Sequence, residues 1–217
     1  MNKIFVCLFF ALLINSTHVA ANELSVGITA EISSSPYRGV GHDASILPSV
    51  HYSGNTFFLD GQEAGVFLYQ SEHHEVSILA EYYDNAFNPK KSKDNKIRNL
   101  DKRHATVMAG LDYLYKNSWG AINFNLSTDI LHKNKGVVAD LSYLAVLEKQ
   151  NFTFAPKIGI KWQSNRFNNY YYGISEQEAV RTSFPVYQAG QGINPYIELG
   201  GSFKVTPKWD TFIAEGN

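Results

Sequence analysis

The chain has 217 residues, with 19 basic and 20 acidic side chains, a formal net charge of −1 and 14% aromatic residues. Balanced charge gives a nucleic-acid partner no electrostatic footing. The single cysteine, Cys7, excludes a disulfide framework.

Residues 1–21 read as an export signal. Lys3 supplies the positive start, Ile4 to Ile14 an uncharged apolar centre, and Val19-Ala20-Ala21 a small-residue cleavage site. The apolar run is shorter than the roughly 20 residues a membrane helix needs. Cleavage after Ala21 removes Cys7, so the exported domain, 22–217, has no thiol to hold a metal or act as a nucleophile.

From Leu24 the chain alternates. Leu24, Val26, Ile28, Ala30 and Ile32 share one face, and Ser25, Gly27, Thr29 and Glu31 share the other, the period of a two-faced strand. The pattern returns over His104 to Lys116, Phe152 to Gln163 and Ile193 to Val205, and more weakly over Val76 to Tyr82, Gly120 to Asp129 and Gly136 to Glu148. A soluble sandwich also alternates, with its apolar face inward. Three features favour an outer-membrane barrel, whose apolar face meets lipid. The best segments run to about a dozen residues, beyond the five or six usual in soluble sheets. Charges such as Glu81, Asp112, Asp140, Lys157, Lys161 and Glu198 recur on the polar face. Aromatic residues, among them Tyr82, Tyr83, Tyr113, Trp119, Phe152, Tyr196 and Phe203, gather near segment ends, as interfacial girdles do.

Connections are of two kinds. Ser53-Gly54-Asn55, Asn117-Ser118, Lys149-Gln150-Asn151 and Thr206-Pro207-Lys208 are tight, whereas Ser34 to Ser45, Asp84 to Arg103 and Ser164 to Gly192 are long. Short periplasmic turns and long external loops must alternate in such a barrel, which requires a further hairpin at Asp60-Gly61, a type I′ dipeptide. Eleven strands result, starting near 24, 46, 56, 62, 75, 104, 119, 136, 152, 193 and 209. Single-chain bacterial barrels have even numbers. The expected fold is therefore an all-β, antiparallel up-and-down transmembrane β-barrel of the outer-membrane type. Twelve strands are expected when it is complete, with ten as the alternative. The closing strand is missing, which makes 22–217 a C-terminally truncated barrel domain.

Alternation stops at YYYGISEQEAVR, Tyr170 to Arg181. Tyr170, Tyr171 and Tyr172 are expected to pack over the barrel mouth from a long external loop, with Gly173 allowing a sharp reversal. Ser175 to Ala179 reads as a short helical turn with Ser175 as N-cap and Glu178 as its capping-box partner. The alternative is an exposed aromatic cluster on a solvated loop. This block, with Tyr187 and then NPYIELG containing Pro195 and Tyr196, resembles the MipA/OmpV family. RNLDKRHATVMAGLDY (Arg98 to Tyr113), KGVVAD (Lys135 to Asp140) and SPYRG (Ser35 to Gly39) are similar to it too. The resemblance implies an outer-membrane protein of the Gram-negative envelope. It also implies a scaffolding role that brings a lytic transglycosylase together with a peptidoglycan synthase. At its C-terminus the chain departs from the family pattern of a further loop and closing strand. A narrow outer-membrane channel for small solutes is the alternative function, and a membrane-embedded hydrolase a lesser one.

No cofactor, metal or catalytic constellation is expected. Histidines 42, 51, 104 and 132 have no ligand spacing. Ser127, Asp129 and His132 are close only in sequence, so the chain is read as a non-enzyme. Outer-membrane lipid surrounds the barrel. Lys90, Lys91, Lys93, Lys96 and Arg98 form a basic run on an external loop, which is either a solvated tip or a seat for lipopolysaccharide phosphates. A three-residue turn at Lys149 to Asn151 is expected to set Asp140 beside Lys161 as a charge pair inside a narrow lumen.

Overall fold

The computed structural model describes residues 5–13, 23–34, 42–206 and 209–216. Ser35 to Gly39 lie outside them. Among the described residues thirteen strands follow in chain order: Phe5–Leu13 (β1), Glu23–Ser34 (β2), His42–Ser53 (β3), Phe57–Asp60 (β4), Glu63–Gln70 (β5), His74–Tyr83 (β6), Thr106–Asn117 (β7), Gly120–Asp129 (β8), Val137–Leu144 (β9), Leu147–Lys149 (β10), Phe152–Gln163 (β11), Gly192–Thr206 (β12) and Trp209–Gly216 (β13). All belong to one sheet in the order β10-β11-β12-β13-β1-β2-β3-β4-β5-β6-β7-β8-β9, with β11 also paired to β9. The pairings are antiparallel throughout. This is the antiparallel architecture the alternation predicts, barrel-like in its order of neighbours.

The apolar face of these strands points outward. Leu111, Ile158, Ile160 and Leu199 are 52%, 56%, 49% and 45% exposed, so they do not form a dry centre. Their neighbours on the other face, including Glu81, Asp112, Asp140, Lys157 and Glu198, line an inner cavity of about 670 Å³. A soluble sandwich would invert this arrangement; an outer-membrane barrel requires it. Near the long-loop end the inner face itself turns apolar. Met108 and Val138 are buried there, with Tyr83 packed against them. Tyr83 and Tyr196 therefore leave the predicted girdle. Tyr83 meets the Phe167 ring edge-on at 5.5 Å, and Tyr196 borders the cavity. Alternation explains both, because each sits one residue from an outward-facing neighbour.

Two turns differ from expectation. Lys149 pairs with Phe152, so that hairpin has a two-residue turn, Gln150-Asn151, with Gln150 at φ 56°. The shorter turn is what sets Asp140 opposite Lys161. The register between β9 and β11 continues unchanged into β10, and the break between β9 and β10 faces Pro156, which has no N–H to give the ladder. At the other hairpin Asp60 pairs with Glu63 across Gly61-Gln62, and only Gly61 has positive φ, at 58°. Positive φ at the first central residue alone marks a type II′ turn rather than I′. Glycine takes that conformation without steric cost.

The segment read as the apolar centre of an export signal forms β1, between β2 and β13. Its sequence, FVCLFFALL, has no polar residue for an inner face, unlike every long strand after it.

Candidate functional site

The first part of the longest connection folds as two short helices, Asn165–Tyr172 (α1) and Glu176–Thr182 (α2). The three tyrosines thus end a helix instead of lying in an irregular loop. Two sequence signals mark this helix: Ser164, whose side chain caps it by accepting from the Phe167 N–H, and Phe167 with Tyr171 at i, i+4 spacing. Three consecutive aromatic residues obscure that pattern. Phe167 and Tyr171 are fully buried and pack with Met108 and Val138, so α1 sits on the apolar upper layer of the strands' inner face.

The tyrosine hydroxyls fix the helix to the start of the β7 segment. Tyr170 accepts from the His104 N–H at 3.0 Å, and Tyr171 donates to the His104 carbonyl at 3.2 Å. Tyr172 is more exposed and accepts from Asn85 Nδ2. Burial raises the Tyr171 phenol well above its ordinary value, so this hydroxyl keeps its proton. Gly173 has φ −70° and ψ 160°, an ordinary extended conformation, so a left-handed reversal is not why glycine stands there. A Cβ at that position would come within 2.4 Å of the Asn169 carbonyl oxygen. Ile174 then bridges Tyr187.

Glu178 ties the two long connections together. Ser175 forms a full capping box with it: Glu178 N–H donates to Ser175 Oγ, while the Ser175 N–H donates to Glu178 Oε2 at 2.9 Å. The other carboxylate oxygen accepts from the Asp101 N–H at 2.9 Å and from Arg103 Nη2 at 2.8 Å. The Arg103 and Glu178 side chains are 11% and 2% exposed. Arg103 also donates to the Gly173 carbonyl, and Arg181 pairs with Asp101 at 2.8 Å. Asp101 and Arg103 belong to the connection after β6, inside the block Arg98 to Tyr113 that resembles the family, and the sequence assigns neither a partner. A pairing across some 75 positions leaves no trace in local periodicity.

Burial alone would raise the Glu178 carboxyl. The hydrogen bonds from the Ser175 and Asp101 backbone, with Arg103 beside it, outweigh burial and hold it below the ordinary carboxylate range. A depressed folded-state value contributes stability above the unfolded value and loses it as pH falls through the folded value. The docking of α2 is therefore expected to be unchanged from neutral pH to about 5 and to weaken only below the usual carboxylate value of about 4. Proteolysis after Arg181 as a function of pH measures this; accelerated cleavage already at pH 6 would contradict it.

Asp129 organises the shorter connection between β8 and β9. It accepts from the N–H groups of Leu131, Asn134 and Lys135 and from the Thr106 hydroxyl. This occupation separates it from any Ser127–His132 relay. Of the basic run, Lys90, Lys91, Lys93, Lys96 and Arg98 are exposed.

Below the apolar layer under α1 lie the inner-face charges. Lys161 Nζ is 4.0 Å from Asp140 Oδ2, and Lys157 Nζ is 3.2 Å from its register partner Glu198. Tyr196 donates to Asp140 Oδ1 at 2.8 Å, and both lysine ammoniums lie over its ring at 5.4 and 5.6 Å. Pro195 stands opposite Ile160 in β12 and is not part of this group. Among the described residues no three His, Cys, Asp or Glu side chains converge as a metal site.

A family model described as MltA-interacting protein MipA matches residues 26–216. The outer membrane protein YiaT of Escherichia coli (strain K12) is 32% identical over 185 residues, 85% of this chain and 75% of that protein. The MltA-interacting protein of the same strain is 31% identical over 193 residues, 89% and 78% of the two chains. OmpV of Vibrio cholerae is 28% identical over 116 residues, 54% and 45% of the two.

Proposed function

The chain belongs to the MltA-interacting protein MipA family, and from that membership we propose a non-catalytic scaffold in the outer membrane. It brings a lytic transglycosylase together with a peptidoglycan synthase. The observation that carries this reading is the family match across residues 26–216. The structure supports it by the outward apolar face and by the α1–α2 cap, which occupies one end of the strands where a wide pore would open.

In this reading residues 1–21 are removed on export, and an alternating strand takes the place of β1 between β2 and β13; with β9 and β10 counted as one strand in a single register against β11, the barrel has twelve strands. The cap end is external, where the exposed lysines of the 84–105 connection meet lipopolysaccharide phosphates. Partner enzymes contact the opposite end, at short connections such as Ser118-Trp119, where Trp119 is exposed beside Tyr115 and Tyr143. Affinity capture of the tagged protein from detergent-solubilised envelopes is expected to recover murein-cleaving and murein-synthesising enzymes. Recovery of neither rejects scaffolding.

The inner cavity favours one second reading, a narrow channel. Planar-bilayer recordings are expected to show small conductance steps if it conducts and none if the cap seals it.

A further inference from the structure

We propose that the cavity beneath the cap is a binding site for an aliphatic diamine or polyamine. This site is independent of scaffolding and rests only on the barrel reading.

Among the described residues, the cavity wall has more carboxylates than cations. Asp140 and Glu198 face Lys161 and Lys157, Glu75 pairs with Lys116, and Asp60 pairs with His51. Glu63, Glu81 and Asp112 remain, and none of them has an ion pair among the described residues. Glu63 and Glu81 are direct register partners on β5 and β6, so like charges face each other across the strands. That arrangement is unfavourable, and the cations that act on it, Lys157 and Lys161, are already paired with Glu198 and Asp140. Asp112 is held only by the amides of Asn123 and Asn125.

A second feature is independent of these acids. Ser77 and Ser127 border the same cavity and are 4% and 5% exposed. Neither hydroxyl has a hydrogen-bond partner among the described residues. Ser77 is the register partner of Asp112, and Ser127 stands two residues beyond Asn125 on β8. Both side chains border the cavity, so their unpartnered hydroxyls are open to it and call for a ligand or solvent.

The geometry selects the class of ligand. A divalent metal needs several oxygens within one coordination sphere, and the described residues hold no such cluster. These carboxylates are instead spread along the wall of a cavity of about 670 Å³, a size that suits a small organic molecule. An aliphatic chain with an ammonium at each end matches separated carboxylates, and each ammonium offers three donors to neighbouring hydroxyl and amide oxygens. Anionic solutes are disfavoured by the same unbalanced charge.

Calorimetry on the full protein in detergent, with 1,4-diaminobutane as probe, tests the inference. The diamine is expected to bind at one site, and 1,4-butanediol and succinate are not. Glu81→Gln and Asp112→Asn are expected to weaken binding about tenfold or more. Absence of diamine binding overturns the proposal, as does equal affinity in both variants. If either variant fails to fold, a second measurement decides. Ser127→Cys should react with a water-soluble thiol reagent more slowly when the diamine is present, and an unchanged rate also overturns the proposal. Neither outcome bears on enzyme capture, so the two readings can fail separately.

Discussion

Leu111→Arg is expected to block membrane assembly. Leu111 sits mid-strand on β7, 52% exposed on the outward face and flanked across the sheet by Ile78 and Leu126. A cationic side chain at the lipid-facing midplane of a barrel costs about 2–4 kcal/mol. Folded stabilities are themselves only about 5–15 kcal/mol, so a single such change removes a large share. Heat-modifiable migration on gels of outer-membrane fractions reads the assembled form. Leu111→Met, which conserves volume and polarity, should assemble normally. Equal assembly of the arginine variant would mean that Leu111 does not face hydrocarbon.

Arg103→Met is expected to detach the cap while leaving the strands assembled. It strands the Glu178 carboxylate, 2% exposed, without its counterion. Removing one partner of a buried pair costs about 3–5 kcal/mol. The loss falls on the contact between the 84–105 connection and α2, where Arg103 also donates to the Gly173 carbonyl, while the capping box between Ser175 and Glu178 within α2 remains. Hydrogen exchange of the α2 amides should accelerate, while exchange in β6, β7 and β8 should not. Glu178→Gln in the same chain should recover much of the protection, since the neutral amide no longer needs a cation. Unchanged exchange in the single variant would show that Arg103 does not hold α2 in place.

These two positions differ in how far the sequence exposes their roles. Leu111 was legible because a strand with one face in lipid must alternate, and alternation is a local property of consecutive residues. The same rule placed Asp140 and Lys161 on a common inner face, although the turn that fixes their register is one residue shorter than expected. The capping box was also legible, since Ser175 and Glu178 stand three residues apart. Arg103 was not. Its partner lies on another loop, and only the approach of two long connections creates the contact. Helix α1 was hidden for a different reason. Its buried face is carried by Phe167 and Tyr171 alone, and the exposed Tyr172 beside them blurs the helical period. Met108 and Val138 illustrate the converse case. Each occupies an inner-face position where polarity is expected, and each makes sense only once α1 is seen resting on it.

The claim beneath all of this is the orientation of β7, with Leu111 toward acyl chains and Asp112 toward the interior. A fluorophore attached at Leu111→Cys and, separately, at Asp112→Cys, in protein reconstituted into vesicles of brominated phospholipid, measures it directly. Strong quenching by the brominated chains at position 111 and little at 112 is the result this account predicts. Quenching at 112 with none at 111, or equal quenching at both, would contradict it.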